Sequence, residues 1–376
     1  MNFFSFCFGL SNRQDRLAFS ILLKCFSIGG LILIVISSCN KKNDTPPPTV
    51  PTVTTTALTN ITTSSATSGG TIVSDGNAKI SQSGIVWSKV NKTPTLTDSV
   101  IAGTTSSGSF TINLGGLDFN TVYYLRAFAT NIVGTGYGNV VMLNTTNDTT
   151  KVRFTYNGQE VVYGIIVSPT TGKKWLDRNL GGKRIATSFD DYQAYGDLFQ
   201  WGRPADGHQL INWTSSAIGA AINGVTTVIA TSDIPGHSNF ITPPAATPYD
   251  WRNDNNSNRW ATVSQGPCPS GWHVPTRSEW GAEVSSAATG GTASIGGITD
   301  YITAYNFLKL TASGRRRGYG SSAGQFHRTG ISGIYWSSSI LTGFYTTASQ
   351  FQSFDTDVQI DGDDLSVGAS VRCIKN

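Results

Sequence analysis

Gly266 to Trp280 reads GPCPSGWHVPTRSEW, and this stretch decides how the C-terminal half of the chain is built. Thr276-Arg277-Ser278-Glu279 has the form of a capping box, in which the threonine hydroxyl accepts from the backbone N–H three residues on and the glutamate reaches back to the threonine N–H. A helix therefore starts at Thr276. Trp280, Val284 and Ala288 recur at four-residue spacing, giving that helix one apolar stripe to bury against a sheet. Upstream, Pro267, Pro269 and Pro275 keep the chain extended, and Gly271-Trp272-His273-Val274 fits a short strand. The stretch is mostly scaffold, with Thr276 and Glu279 as helix-cap residues.

At the other end of the chain, Arg13, Arg16 and Lys24 precede an apolar run, SIGGLILIVIS, that leads to Ser38-Cys39. This is the pattern of a signal peptide, and the core from Ile28 to Ile36 is shorter than the roughly 20 residues a membrane-spanning helix needs. Ile-Ser-Ser-Cys resembles the lipobox of bacterial lipoproteins. The resemblance implies cleavage before Cys39, a diacylglycerol on its thiol, and a mature chain held on a membrane by acyl chains. Removing residues 1–38 of 376 leaves 338. A plain secretory signal or an uncleaved anchor is the alternative, and the long N-region also fits a start placed too far upstream. The expected location is the bacterial cell envelope, lipid-anchored, with Asn40 after the lipidated cysteine favouring the outer membrane.

Cysteine count agrees with export. Cys7 and Cys25 fall in the discarded segment and Cys39 is consumed by lipid, so Cys268 and Cys373 remain. The pair reads most simply as one disulfide closing a loop of about 100 residues, stabilising by roughly 4 to 5 kcal/mol in the chain-entropy model. Two free thiols, or half of a metal site, are the other readings.

The net charge of +4 falls to +2 once Arg13, Arg16, Lys24 and Asp15 are removed. That balance excludes polyanion binding as a class, so nucleic acid is not an expected partner. Arg315-Arg316-Arg317 could grip a phosphate or sulfate, but reads better as a solvated loop or strand end. Glycine, at 41 of 376 residues, together with few glutamates and abundant Thr, Ser and Val, argues for strands and turns over helices.

Composition divides the chain into a signal peptide at 1–38, a proline-rich tether at 39–51 (ending NKKNDTPPPTVP), a β-rich domain at 52–146, a polar linker at 147–151 and a second domain at 152–376. GIVWS, FTINL, VYYLRAFATN and NVVMLNTT alternate apolar and polar residues, as strands of a half-buried sandwich do. Eight of nine tryptophans and all four histidines lie beyond residue 150, so the second domain has its own core.

LDFNTVYYLRAFATNIVGTGYG resembles the late strands of a fibronectin type III-like module, on Leu117, Thr121 and Tyr123 followed by Arg126, Ala127, Ala129 and Asn131. Phe119 replaces the proline often found there. Alternation places Tyr123, Leu125, Ala127 and Ala129 on one face, as a strand over a sandwich core requires.

PCPSGWHVPTRSEW resembles the central signature of the Fibrobacter succinogenes major paralogous domain. GKKWLDRNLGG, AYGDLFQWGRPADGHQ, FLKLTASGRR, IYWSSS and the terminal SVRCIK follow that domain's motif order across 152–376. VPTRSEW is also similar to a segment of formylglycine-generating enzymes, and WSSS followed by VRC to the closing strands of C-type-lectin-like domains. The fold so implied is multidomain: an all-β fibronectin-like sandwich followed by an α+β, loop-rich C-type-lectin-like domain. In such a domain a Cys268–Cys373 bond would tie the loop before the helix to the final strand.

Formylglycine generation needs two reactive cysteines close together, and here they are 105 residues apart and suit a disulfide. Asp177, Asp197, Asp206 and Glu279 are the carboxylates a hydrolase could call on, but Glu279 is committed to the cap and the aspartates sit in Gly-rich turns where Asp is common. No catalytic residue is assigned. His208, His237, His273 and His327 show no metal-ligand spacing. The acidic run with Asp355, Asp357, Asp361, Asp363 and Asp364 departs from the EF-hand pattern and reads as a solvated turn. The calcium-and-sugar motif E-P-N or Q-P-D is absent, although Trp251-Arg252-Asn253-Asp254 is similar to its W-N-D half. No metal and no cofactor is expected.

Binding remains. Trp201, Trp213, Trp251 and Trp260 lie in Gly-, Asn- and Ser-rich segments, where an indole can face a sugar or peptide, though each alone reads better as core. QWGRPADGHQ is the candidate surface as a group: Trp201 for stacking, Arg203 and Asp206 for hydrogen bonds, His208 for a further polar contact. The expected function is a lipid-anchored, non-catalytic binding or adhesion protein for a polysaccharide or surface protein. An envelope-attached enzyme on polysaccharide or protein, or a structural surface component, are the alternatives.

Overall fold

The computed structural model describes residues 46–103, 107–244, 249–252, 259–260, 266–284, 297–341, 347–353 and 357–376. Residues 1–38, read from the sequence as a signal peptide, and Cys39, along with Asn253, Asp254, Ala288 and Asp355, lie outside the described residues.

The first domain is an all-β sandwich. One sheet runs β1 (Thr52–Thr59), β2 (Ala66–Ser74) and β5 (Gly108–Leu114). The other runs β4 (Ser99–Ala102), β3 (Gln82–Ser88), β6 (Val122–Thr130) and β7 (Thr135–Tyr137), with β8 (Val141–Asn144) also on β6. Tyr123, Leu125, Ala127 and Ala129 of β6 are buried together, the face that period-two alternation predicts. Trp87 packs edge-on against Tyr123, whose hydroxyl accepts from the Asp118 N–H at 2.8 Å.

Ordered contacts begin inside the stretch read as tether. Thr49 donates its N–H to Gly76 O at 2.8 Å, and the buried Asn131 side chain donates to Thr49 O at 2.7 Å and Asp75 O at 2.8 Å. Composition could not show this, because the partners are supplied from 27 and 82 residues away.

Among the described residues the second domain is mostly β with two short α-helices. Its larger sheet runs β9 (Lys151–Tyr156), β10 (Gln159–Val167), β11 (Lys174–Leu176), β24 (Ile374–Lys375) and β17 (Trp272–His273). Asn157 and Gly158, both at positive φ, close the β9–β10 hairpin, as a two-residue turn between right-twisted strands demands. A four-stranded sheet holds β12 (Phe199–Gln200), β23 (Gly368–Ala369), β18 (Arg315–Arg316) and β19 (Phe326–His327). β13 (Ile211–Trp213) pairs β14 (Gly219–Ala221), β15 (Val225–Thr226) pairs β16 (Phe240–Ile241), and β20 (Gly333–Ile340), β21 (Thr347–Ser353) and β22 (Val358–Asp364) form a meander.

Helix α1, Arg277–Glu283, carries the expected capping box on Thr276 and Glu279. It is shorter than the apolar spacing suggests. Val284 turns extended and bridges Ile298, so the stripe ends after Trp280 and Val284, both buried with Tyr335 and Phe351. The cap is reinforced from outside: burial works against the charge of Glu279, but His273, at 3.0 Å, and the Thr276 N–H outweigh it and draw its pKa to about 2. Helix α2, Tyr301–Leu308, starts at Asp300 and ends where Lys309 adopts the left-handed conformation.

Cys268 and Cys373 are bonded to one another with Cα atoms 5.9 Å apart, which excludes the free-thiol and half-metal-site readings. The bond ties the turn ahead of β17 to the residue before β24.

Candidate binding cleft

The QWGRPADGHQ segment forms part of the interior. Trp201 is fully buried against Trp260 and donates its indole N–H to Ser337 O at 2.8 Å, so it presents no face for stacking. Trp213, Trp251 and Trp260 are buried too, with Trp213 donating to Gly196 O and Trp251 to Trp201 O. In a domain built from short strands and loops, indole N–H groups serve as buried donors for carbonyls that no ladder satisfies.

Arg203 and His208 are buried beside them. Arg203 donates to Asp206 Oδ2, Gln200 Oε1, Asn239 O and His237 O, all within 2.9 Å. His208 Nδ1 lies 2.7 Å from Asp206 Oδ1, while its Nε2 accepts from the Gln200 N–H at 3.0 Å, which fixes a neutral ring with the proton on Nδ1. Burial drives its pKa down to about 4, against the pull of Asp206. Trp201, Arg203, Asp206 and His208 are thus brought together, but as a closed network that braces β12 against β16 and the loop at 237–239 that leads into it.

The arginine triplet is likewise divided. Arg315 pairs with Asp363, and Arg316 is buried over the Phe240 ring at 4.1 Å, so no basic patch forms. Alternation along β18 sends neighbouring side chains to opposite faces.

The four carboxylates sort differently. Asp177 binds Arg178 through two bonds of 2.7 and 2.8 Å, Asp206 serves Arg203 and His208, and Glu279 serves the cap. Asp197 has no ion-pair partner among the described residues. Its Oδ2 accepts from the Tyr156 hydroxyl at 2.7 Å and its Oδ1 from the Ile211 N–H at 3.1 Å. Burial pushes its pKa up to about 7, with the two hydrogen bonds offsetting only part of the rise.

Asp197 lies at the base of a cleft of about 450 Å³ between the β9–β10 hairpin, the turn at 181–183 and the segment 210–222. Val161, Val162, Leu210, Ile211 and Ile222 line it with Tyr156 and Tyr163, and Arg178, Lys183 and Gln159 complete it. Tyr163 is held in place by Arg178, 4.7 Å over its ring, and by the Gly181 N–H, which donates to its hydroxyl at 3.0 Å; burial raises its pKa to about 12. Gly181 has φ +82°, and a Cβ there would collide with Asp197 Oδ2. Glycine is required on both counts.

A larger cavity, about 800 Å³, opens beside α1 between Arg277, Ser339 and Asp361. Its charged groups are exposed, so the smaller cleft, with a buried acid at its floor, is the stronger candidate site.

Asp197 was among the carboxylates legible in the sequence, but read as a turn residue; Tyr156 and Tyr163 carried no signal at all. The acidic run does not gather as ligands: Asp363 is taken by Arg315, and burial raises Asp364 to about 6 beside Tyr319. Among the described residues no three His, Cys, Asp or Glu side chains converge as a metal site.

No family model matches the chain, and no curated protein matches it. Similar solved structures include the sensor domain of an anti-sigma factor in Pseudobacteroides cellulosolvens, 12% identical over 27% of this chain and 98% of that one, TM-score 0.21. A fibronectin type III domain of human collagen XX is 22% identical over 27% of this chain and 99% of that one, TM-score 0.20. The sixth fibronectin type III domain of human fibronectin type III domain containing protein 3 is 20% identical over 28% of this chain and 92% of that one, TM-score 0.21. These likenesses assign this chain no function.

Proposed function

We propose that this chain is a lipid-anchored protein of the bacterial cell envelope, in which a fibronectin-like stalk carries a second domain of the Fibrobacter succinogenes major paralogous kind, C-type-lectin-like in fold, that binds an extracellular polymer or partner. The cleft over Asp197 carries the reading, because apolar walls there converge on one buried carboxylate that has no charged partner among the described residues. Supporting it are the lipobox at Cys39 and a disulfide of the kind that oxidising compartments maintain. Asp197 is the sole carboxylate among the cleft-lining residues, and no cysteine or histidine lines it, so binding is a better account than hydrolysis.

The test is an array of polysaccharides and envelope proteins probed with the full chain in detergent, with and without calcium chelation, beside a variant carrying Ile222→Arg at the exposed rim. Saturable, metal-independent binding lost in the variant is the expected result. Binding untouched by the rim change would remove the cleft as the site, and turnover of an arrayed substrate would replace binding with catalysis.

A further inference from the structure

A buried carboxylate is normally paired, and the exception at Asp197 asks what completes it. An ionised carboxylate offers about four lone-pair sites. Tyr156 and Ile211 use two. The charged groups nearest the cleft do not supply the missing partner: Arg178 is turned onto Asp177 and the Tyr163 ring, and Lys183 is exposed at the edge. The remaining titratable groups facing the carboxylate are the phenols of Tyr156, from β9, and Tyr163, from β10; β13 contributes backbone N–H.

Above this floor the walls are aliphatic: Val161, on the same face of its strand as Tyr163, on one side, and Leu210, Ile211 and Ile222 on the other. The aromatic rings do not offer a sugar platform, since Tyr163 is covered by Arg178 and by the edge of Phe154 at 5.0 Å. An acid beneath an aliphatic throat suits a cation on an apolar stem.

We infer that the cleft receives an alkylammonium group, such as a lysine side chain of a partner protein, whose methylenes lie along Val161 and Ile222 and whose ammonium bonds Asp197. The inference rests on the cleft being the binding site. Entry of the cation supplies the carboxylate with the charge that burial denied it, so the complex forms with the ionised acid. Affinity rises as pH rises through the region of 7 and levels above it, the ammonium staying charged up to about 10. A hydroxylated neutral ligand has no reason to follow that course.

The experiment uses the full chain in detergent with isotope-labelled isoleucine methyls, so that Ile211 and Ile222 report occupancy. Pentylammonium and N-acetyl-lysine amide are compared with pentanol and N-acetyl-norleucine amide at pH 5.5, 7.0 and 8.5. The expected result is binding of both amines, tighter by about tenfold or more from the lowest to the highest pH, and at least tenfold stronger than the neutral analogues. The lysine derivative binding more tightly than the simple amine points to a protein partner. Asp197→Asn abolishes the preference. Should that variant misfold, Ile222→Lys, at an exposed rim position, places an ammonium of its own in the throat and blocks the amines, with Ile211 as the remaining reporter.

Equal binding of neutral and charged analogues, or amine binding that ignores pH, would overturn the ammonium assignment while leaving the cleft as a site. Cleft methyl shifts with a neutral oligosaccharide alone would do the same. Silence of Ile211 and Ile222 toward every probe, together with array binding unaffected by the rim variant, would remove the cleft reading itself.

Discussion

The Tyr156 hydroxyl donates to Asp197 Oδ2 across 2.7 Å, joining the end of the first strand of the second domain to a carboxylate 41 residues away that has no cation to balance it among the described residues. The folded state therefore holds a proton that the unfolded chain has already released between about pH 4 and 7. Stability falls as pH rises through that window, because the unfolded state there binds fewer protons than the native one. Asp197→Asn should remove this contribution. Denaturant unfolding of both proteins from pH 4 to 8 checks it: the difference in stability between variant and wild type should shift in the variant's favour as pH rises, and a constant difference would refute a raised Asp197.

His208 carries the opposite sign. Its folded pKa, near 4, lies below the ordinary 6.5, so its contribution is complete above pH 6.5 and is lost as pH falls from 6.5 toward 4. Nitrogen-15 spectra of the ring should show a neutral imidazole protonated on Nδ1 at pH 5.5, with Nε2 accepting from Gln200. A ring already cationic at that pH would contradict the buried network.

Trp201→Ala should act on the fold, costing about 3 to 5 kcal/mol through the cavity it leaves in the core of the second domain. Trp201→Phe should cost less, losing part of the packing and the bond to Ser337 O. Calorimetry decides: an alanine variant of unchanged stability that has lost ligand binding would return Trp201 to the surface role the sequence suggested.

Replacing Cys268 and Cys373 by serine should destabilise the second domain by about 2 to 5 kcal/mol while the sandwich transition stays in place, since both cysteines lie outside the sandwich. A loss shared equally by the two transitions would show that the domains unfold as one unit.

Phe119 stands where fibronectin-like sequences often carry proline, and its ring lies 4.7 Å beneath the Arg153 guanidinium, which also reaches Asp118 at 3.2 Å. The substitution thus gives the first domain a contact with the first strand of the second. Arg153→Ala should cost only about 0.2 to 1 kcal/mol, as for a partly exposed pair, but should widen the distribution of inter-domain distances. Two spin labels, one per domain, report this; an unchanged distribution would mean the linker alone sets the joint.

By itself the sequence determined what local chemistry decides. Thr276 and Glu279 are three residues apart and cap a helix in almost any surroundings; Tyr123, Leu125, Ala127 and Ala129 must face one side if the segment is a strand; Cys268 and Cys373 are the two cysteines of the C-terminal half. Even so, the length of α1 and the packing of Thr49 escaped it, because Ile298 and Asn131 stop or hold those segments from a distance. The site lay wholly on that far side. Trp201 and Asp197 both sit in Gly-rich sequence that reads as turn and surface, yet tertiary packing buries the first among Trp260 and Ser337 and leaves the second beneath a cleft with Tyr156, Ile211 and Gly181 around it. Burial, and the cost of an uncompensated charge that follows from it, depends on which distant residues arrive at a position, and that only the tertiary structure decides.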